Sequence, residues 1–272
     1  MKSKAIFLDI DGTILPSNQI LSPKVKYAIE QARTNGHYVF LCTGRNYCNI
    51  SSFSNVEFEG MVCSNGAYII INNQVIYDIS IPEDDLENCL KFLDENDIEY
   101  NLETNFVSFY SQSMIDFFEQ YSKSDVSELN RLKEETVNHI QHIQNYQQQV
   151  PVPTLFFLCQ DEKYIQQIKQ KISKHCYMIN HGFNQGYYTV EINHVDATKG
   201  KGIKRVIEQL NMSIEDTICF GDGMNDYDMM KTCHRSVAMG NACEEIKQYA
   251  SAVCESVDDD GVYYELKRLE II

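Results

Sequence analysis

Two aspartates directly follow the first apolar segment of the chain. Ala5-Ile6-Phe7-Leu8 is a short apolar run, typical of a buried strand, and Asp9-Ile10-Asp11-Gly12-Thr13 comes next. Two carboxylates held this close repel each other unless a cation or a shared proton relieves the repulsion. The pair therefore indicates a metal site, a proton-transfer site or both, and oxygen ligands favour a hard cation such as Mg²⁺. Because Asp-Gly is also a common turn dipeptide, the pair alone does not exclude a solvated turn.

Composition places the chain among ordinary globular proteins and excludes some partners. Its 272 residues, 43% hydrophobic and 23% charged, suffice for one large domain or two smaller ones. The formal net charge of −16 argues against a nucleic-acid backbone or an anionic membrane as partner, since both require a basic face. No apolar stretch approaches the roughly 20 residues of a membrane span. We therefore expect a small-molecule partner, with neither nucleic acid nor membrane.

Cysteine usage predicts a reducing compartment. Ten cysteines are spread singly along the chain without a C-x-x-C pair, which favours reduced, mostly buried thiols in a cytoplasmic protein. Met1-Lys2-Ser3-Lys4 leads at once to the first strand and does not form a secretory signal. The N-x-S sequons that start at Asn49 and Asn211 are then expected to carry no glycan.

Alternating strand and helix patterns predict a parallel sheet formed by both ends of the chain. The clearest helix signal is Ser22-Pro23, a capping serine followed by proline at the first helical position. The same alternation returns after residue 193. Strands separated by helices imply right-handed crossovers within one parallel sheet. We predict an α/β fold with a Rossmann-like parallel-sheet core, formed by residues 1–80 and 194–272.

The rhythm changes between residues 81 and 193, where helix–strand–strand units indicate an inserted α+β domain. Residues 113–150 are polar and are predicted to be helical. Within them, His139 and His142 have the spacing of a metal pair on a helix. Without a third ligand nearby, a solvated helix face is the favoured interpretation. The insert carries no motif that names a substrate.

Four polar clusters fall at the carboxyl ends of predicted strands or at the start of a predicted helix. They are Asp9 with Asp11, Thr43-Gly44, Lys199 and Asp222. Ligands of open parallel sheets bind at that edge. Two acid clusters can hold Mg²⁺, while a hydroxyl, backbone amides and a lysine can hold phosphate oxygens. The set predicts phosphoryl chemistry without a nucleotide loop, because neither G-x-x-x-x-G-K-[ST] nor G-x-G-x-x-G occurs.

Four segments resemble, in order, the four motifs of the haloacid dehalogenase superfamily. They are Asp9-Ile10-Asp11-Gly12-Thr13, Thr43-Gly44-Arg45, Lys199-Gly200 and Gly221-Asp222-Gly223-Met224-Asn225-Asp226. The chain is also similar to the Cof-type phosphatases of that superfamily in Ser64-Asn65-Gly66-Ala67, in Gly261-Val262 and in the insert, which resembles their cap domain. The resemblance covers essentially the whole chain, and four ordered motifs disfavour the interpretation of Asp9 and Asp11 as a mere turn.

The resemblance implies a role for each motif residue. Asp9 would attack phosphorus to form an aspartyl-phosphate, and Asp11 would protonate the leaving oxygen and then activate water. Mg²⁺ would be bound by Asp9, the Asp11 backbone carbonyl and Asp222, with Asp226 supporting the metal shell. The implied phosphate and substrate contacts form a second set: Ile10, Thr43, Gly44, Arg45, Asn65, Lys199 and Asn225.

Three of these assignments have a competing interpretation. Lys201 is a rival of Lys199 two residues away, although Lys199 matches the K-G step of the family. Arg45 could pair with a structural carboxylate instead of a substrate. Asn65 could simply shape a turn.

The activity implied by the resemblance is that of a Mg²⁺-dependent phosphatase for small phosphomonoesters. Sugar phosphates are the first substrate class, and phosphorylated cofactors such as FMN or pyridoxal phosphate are the next. A phosphomutase would use the same Asp9 and Asp11 but return the phosphoryl group to a sugar. A non-catalytic sensor of phosphorylated metabolites is a further alternative, which the intact aspartates disfavour. The sequence leaves open the physiological substrate and the choice between a monomer and a homodimer.

Overall fold

The chain forms two compact units in a computed structural model that describes residues 2–50, 56–121, 139–184 and 186–272, except for the side chains of 117–121. The first unit comprises Met1–Arg45, Ile50–Asp78 and Thr198–Ile272, and the second comprises Asn46–Asn49 and Ile79–Ala197. The sequence predicted domain boundaries after residues 80 and 193 and assigned residues 46–49 to the core. In the structure, the contacts group these four residues with the second unit.

The helices and strands of the described residues have the following bounds. The strands are β1 (Ala5–Leu8), β2 (Tyr38–Cys42), β3 (Gly60–Cys63), β4 (Tyr68–Ile71), β5 (Gln74–Asp78), β6 (Glu99–Glu103), β7 (Ser108–Tyr110), β8 (Ile140–His142), β9 (Thr154–Cys159), β10 (Cys176–Asn184), β11 (Tyr187–His194), β12 (Thr217–Gly221), β13 (Arg235–Ala238) and β14 (Ala252–Val253). The α-helices are α1 (Pro23–Thr34), α2 (Glu83–Glu95), α3 (Gln112–Tyr121), α4 (Glu162–Lys169), α5 (Lys199–Gln209), α6 (Tyr227–Thr232), α7 (Glu244–Lys247) and α8 (Gly261–Arg268). Among the described helices, none is both long and apolar enough to cross a membrane.

The first unit is built on an eight-stranded sheet in the order β14-β13-β12-β1-β2-β3-β4-β5. The pairs from β14 to β3 are parallel, and β4 and β5 extend the sheet as an antiparallel hairpin. All four residues of β1 are buried, as expected for a parallel strand that is covered on both faces. The Ser22 hydroxyl accepts a hydrogen bond from the Lys24 amide and so caps α1. The predicted parallel-sheet α/β core is therefore confirmed.

The second unit is a six-stranded sheet in the order β10-β11-β9-β6-β7-β8, antiparallel except for the parallel pair β7–β8. Helices α2 and α4 contribute apolar side chains to its core, among them Leu86, Leu93 and Ile168. These pack with Leu155 and Val190 of the central strands. A helix-covered antiparallel sheet is the α+β insert that the sequence predicts.

The helical prediction for residues 113–150 is wrong at its carboxyl end. Helix α3 covers Gln112–Tyr121 of the described residues, whereas Ile140–His142 forms β8. The Ser108 amide donates to the His139 carbonyl at 2.7 Å, and this polar segment pairs with the edge of β7 as a strand. His142 accordingly lies on a strand and not on a helix face. Its Nδ1 accepts a hydrogen bond from the Gln144 backbone amide. Residues 122–138 of that prediction lie outside the described residues.

His37 predicts a pH dependence of stability. Its buried imidazole accepts a hydrogen bond from the Lys4 amide at Nδ1, and burial, followed by the charge of Lys4, lowers the pKa of His37. Because the unfolded pKa of about 6.5 lies higher, the unfolded chain binds more protons. The contribution of His37 is thus complete above about pH 6.5 and is lost as the pH falls below it. Between pH 7.5 and 5.5, about one unit on either side of that value, the melting temperature of His37→Asn should fall less than that of the wild type. Equal falls would contradict the assignment.

Candidate active site

A tight turn after β1 separates the two opening aspartates. The Ile14 and Leu15 amides donate to the Ile10 carbonyl at 3.0 and 2.9 Å, which closes the turn. Gly12 has a φ of +74°, and a β-carbon added there would lie 2.7 Å from the Asp222 carboxyl carbon. Only glycine therefore fits at this position. Asp9 is buried beside β12, while the side chain of Asp11 is 48% exposed.

The ammonium of Lys199 lies between two buried carboxylates. Its Nζ is 2.6 Å from Asp9 Oδ1 and 2.6 Å from Asp226 Oδ1, and its side chain is fully buried. Burial alone would lower the pKa of Lys199, but Asp226 and Asp9 raise that pKa instead, so the lysine stays charged. Lys199 is therefore the lysine that contacts Asp9. The backbone amide of Lys201 donates a hydrogen bond to the Thr198 hydroxyl at the start of α5.

Asp226 holds the loop that follows β12. Its Oδ2 accepts hydrogen bonds from the Asp222 amide at 2.9 Å and from the Gly223 amide at 3.1 Å. The fully buried carboxylate thus uses one oxygen for the loop and the other for Lys199. This arrangement places the half-buried side chain of Asp222 next to Asp9.

Carboxylate oxygens of Asp9, Asp222 and Asp226 all lie within 4.8 Å of one another. Burial, and then the charge of Asp226, raises the pKa of Asp9 well above its ordinary value. The same two causes raise the pKa of Asp222 to about 7. One lysine does not balance three carboxylates, and clustered carboxylate oxygens are the ligands of a hard divalent cation. The donor set therefore fits Mg²⁺.

Arg45 holds Asp11 outside this cluster. Its Nε and Nη2 donate to the two Asp11 carboxylate oxygens at 2.8 and 2.6 Å, and Nη2 also donates to Gln19 Oε1 at 2.9 Å. This bidentate fork orients the carboxylate rigidly. The competing interpretation of Arg45, pairing with a carboxylate of the protein, is the one that this geometry favours.

Thr43, Gly44 and Asn65 meet at the carboxyl ends of β2 and β3. The Thr43 hydroxyl accepts a hydrogen bond from the Arg45 amide at 3.0 Å. The Asn65 amide donates to the Thr43 carbonyl at 3.0 Å, and Asn65 has a φ of +53°. Asn65 therefore shapes a left-handed turn beside Gly44. Asn225 is exposed in the turn Met224–Asp226 and is not part of the buried cluster.

The structure adds four residues that the sequence analysis did not single out. Thr13 donates from its hydroxyl to Asp222 Oδ1 at 3.5 Å, and Asn241 donates to the Gly12 carbonyl at 2.8 Å. Asp228 accepts bonds from the Thr198 hydroxyl and the Gly200 amide and so anchors α5. Thr13 belongs to the first motif and Asp228 follows the last one, whereas Gln19 and Asn241 carry no sequence signal.

Residues 6–266 match the family model of the haloacid dehalogenase-like hydrolases. Phosphatase YwpJ of Bacillus subtilis is 27% identical over 286 residues, covering 98% of this chain and 99% of the relative. The 5-amino-6-(5-phospho-D-ribitylamino)uracil phosphatase YitU of Bacillus subtilis is 24% identical over 275 residues, covering 98% and 97%.

Solved structures share the fold over the full length. A sugar phosphatase of haloacid dehalogenase subclass IIB superposes with a TM-score of 0.81 at 24% identity, covering 99% of this chain and 100% of that one. A protein from Geobacillus kaustophilus superposes with a TM-score of 0.85 at 24% identity, covering 100% of both chains.

The core is a parallel α/β sheet with clustered carboxylates at one edge, and an α+β insert interrupts it. This architecture occurs in a class of hydrolases. The chain belongs to the haloacid dehalogenase-like hydrolases. Its structural neighbours include subclass IIB, the Cof-type branch. The family prediction made from the four motifs is confirmed. The predicted enzyme class, a hydrolase of phosphoric monoesters, is confirmed as well.

Replacing Lys199 should lower the stability of the protein. Lys199→Met keeps the aliphatic stem but leaves Asp9 and Asp226 buried without their cation, which costs about 3–5 kcal/mol. Urea unfolding measures the loss. The matched variant Lys204→Met, at an exposed position of the same helix, should stay within about 0.5 kcal/mol of the wild type. Similar losses in the two variants would contradict the central position of Lys199.

The raised pKa of Asp222 predicts pH-dependent Mg²⁺ binding. Because that pKa is about 7, the proton competes with the cation below this pH. Affinity measured by isothermal titration calorimetry should therefore rise as the pH increases through 7 and then level off. Asp222→Asn should weaken binding and flatten this dependence. An affinity that is the same at pH 6 and pH 8, about one unit on either side of the Asp222 pKa, would contradict the prediction.

Proposed function

We propose that this protein is a Mg²⁺-dependent phosphatase that hydrolyses small phosphomonoesters through an aspartyl-phosphate on Asp9. The observation that carries the proposal is the buried contact of Lys199 with Asp9, next to Asp222 and Asp226. A buried carboxylate beside a cation, which favours its ionised form, is suited to nucleophilic attack. Membership of a hydrolase family supports the same reaction class.

Asp9 performs the first step. Lys199 binds one Asp9 oxygen at 2.6 Å and opposes the burial, which raises the pKa of Asp9. A carboxylate oxygen of Asp9 forms a bond to phosphorus while the ester P–O bond breaks. The charge of Lys199 also stabilises the negative charge that phosphoryl transfer places beside it.

Asp11 moves the proton in both steps. Its carboxyl donates a proton to the leaving alkoxide, and the resulting carboxylate takes a proton from the water that attacks phosphorus. The bond between phosphorus and Asp9 then breaks and inorganic phosphate leaves. The fork of Arg45 fixes the orientation of Asp11 for this exchange, and its partial exposure gives access to water.

The metal and phosphate contacts complete the proposed site. Mg²⁺ would be held by Asp9, Asp222 and the Asp11 backbone carbonyl, with Asp226 fixing the loop. When bound, the cation supplies positive charge against the phosphate oxygens. Thr43, Gly44 and Lys199 are assigned to phosphate oxygens, together with the backbone at Ile10 and, from the rim, Asn225.

Sugar phosphates are the proposed first substrate class. One structural neighbour is a sugar phosphatase, and one curated relative acts on a phosphorylated ribitylamino-uracil. Both substrates present a polyhydroxylated leaving group. Phosphorylated cofactors such as FMN or pyridoxal phosphate are the second class, and the second unit is proposed to select among them as a cap. The phosphomutase and sensor alternatives are less well supported, because both Bacillus subtilis relatives described above are phosphatases.

Replacing the nucleophile tests the proposal. With Mg²⁺ present, Asp9→Asn should lose at least about 10³-fold in kcat on p-nitrophenyl phosphate, because the amide cannot form the acyl-phosphate. The exposed Asp258→Asn serves as the matched control and should keep the wild-type rate. A full rate in Asp9→Asn would overturn the nucleophile assignment.

Two further measurements complete that experiment. In Asp11→Asn, which lacks the general base, mass spectrometry after acid quenching should find phosphate on the peptide that contains Asp9. A panel of sugar phosphates, FMN and pyridoxal phosphate then ranks the substrate classes by kcat/KM.

A further inference from the structure

Three consecutive residues after β3 adopt the left-handed conformation. Ser64, Asn65 and Gly66 have φ angles of +47°, +53° and +100°. Side-chain-bearing residues rarely occupy this region, and they stay there only when the surrounding structure requires it. The contacts of the turn Ser64–Gly66 show why the surrounding structure requires this conformation.

On one side, the turn brackets the Thr43-Gly44-Arg45 loop. The Ser64 amide donates to the Arg45 carbonyl at 2.8 Å, and the Asn65 amide donates to the Thr43 carbonyl at 3.0 Å. A β-carbon added to Gly44 would lie 3.2 Å from Asn65 Oδ1, so the Asn65 side chain packs directly on Gly44. The carbonyls on both sides of Gly44 are thus held by the backbone of the turn.

On its other side, the turn touches the start of α5. A β-carbon added to Gly66 would overlap the Thr198 carbonyl oxygen and lie 3.0 Å from the Thr198 carbonyl carbon. One added to Gly202 would lie 3.4 Å from Gly66 Cα. Backbone therefore packs on backbone at the residue that precedes Lys199, whose ammonium is 2.6 Å from Asp9.

We infer that the turn Ser64–Gly66 is a positioning element of the site. Its left-handed backbone sets the Thr43-Gly44-Arg45 loop and the amino end of α5 at one fixed separation, so that Lys199 reaches Asp9. Asn65 then acts through Gly44, not by contact with the substrate. The kinetic part of the test rests on the proposed phosphatase function, whereas the structural part does not.

Two glycines form a matched pair for the test. Gly36 has a φ of +84° and no atom within 4 Å of an added β-carbon, so Gly36→Ala introduces left-handed strain without a collision. Gly66→Ala introduces similar strain and displaces Thr198. We expect Gly66→Ala to lower kcat on p-nitrophenyl phosphate by about 10²-fold relative to Gly36→Ala, since small displacements of catalytic groups have such effects. KM should change less than about threefold. Equal kcat values would overturn the inference.

A second pair separates the backbone of Asn65 from its side chain. Asn65→Gly accepts the left-handed backbone and Asn65→Ala resists it, so Asn65→Ala should lose more kcat. Asn73, with a φ of +62° between β4 and β5, provides the control, because Asn73→Gly and Asn73→Ala should leave kcat unchanged. If both Asn65 variants lose the same activity through a raised KM, the side chain binds the substrate and the inference is wrong. This pair decides the question if Gly66→Ala does not fold.

Crystal structures of the two alanine variants give a readout that is independent of activity. The distance from Lys199 Nζ to Asp9 Oδ1 should exceed that of a hydrogen bond in Gly66→Ala and remain near 2.6 Å in Gly36→Ala. An unchanged distance in Gly66→Ala would overturn the inference. A wild type inactive on every phosphate ester would instead refute the proposed function, and the distances would still decide the role of the turn.

Discussion

The contact of the Lys199 ammonium with Asp9 and Asp226 is the interaction on which the site depends. A fully buried cation is tolerated only when its partners are close and correctly oriented, because the loss of hydration must be offset. The carboxyl end of β1, the loop after β12 and the amino end of α5 must therefore meet within hydrogen-bond distance. Glycine at position 12 permits the approach of Asp222, and the amides of the loop fix Asp226.

Environment, more than residue type, gives Asp9 and Asp11 different properties. Asp9 lies in the sheet edge among other carboxylates, where burial raises its pKa and Lys199 opposes that effect. Asp11, two residues later, is turned outward and held by the Arg45 fork. One tight turn thus creates a shielded carboxylate and a solvent-accessible one, an asymmetry that suits the proposed roles of nucleophile and proton carrier.

Asn46 ties residues 46–49 into the second unit. Asn46 is fully buried, and its amide nitrogen donates to the Thr104 carbonyl at 2.8 Å and to the Ser108 hydroxyl at 2.9 Å. The residue after Arg45 is therefore anchored at β7 and the turn before it. This anchoring explains why residues 46–49 group with the insert although they lie far from it in sequence.

The family, the α/β core, the inserted α+β unit and the Ser22 cap could be predicted from the sequence, because each depends on local patterns or short motifs. Only the folded chain shows which atoms pair within the site. Lys199 and Asp9 are 190 residues apart, and the Arg45 fork on Asp11 joins residues 34 apart. No local pattern records such pairs. The strand at Ile140–His142 was missed for the same reason, since the backbone groups of β7, not its own side chains, make it a strand.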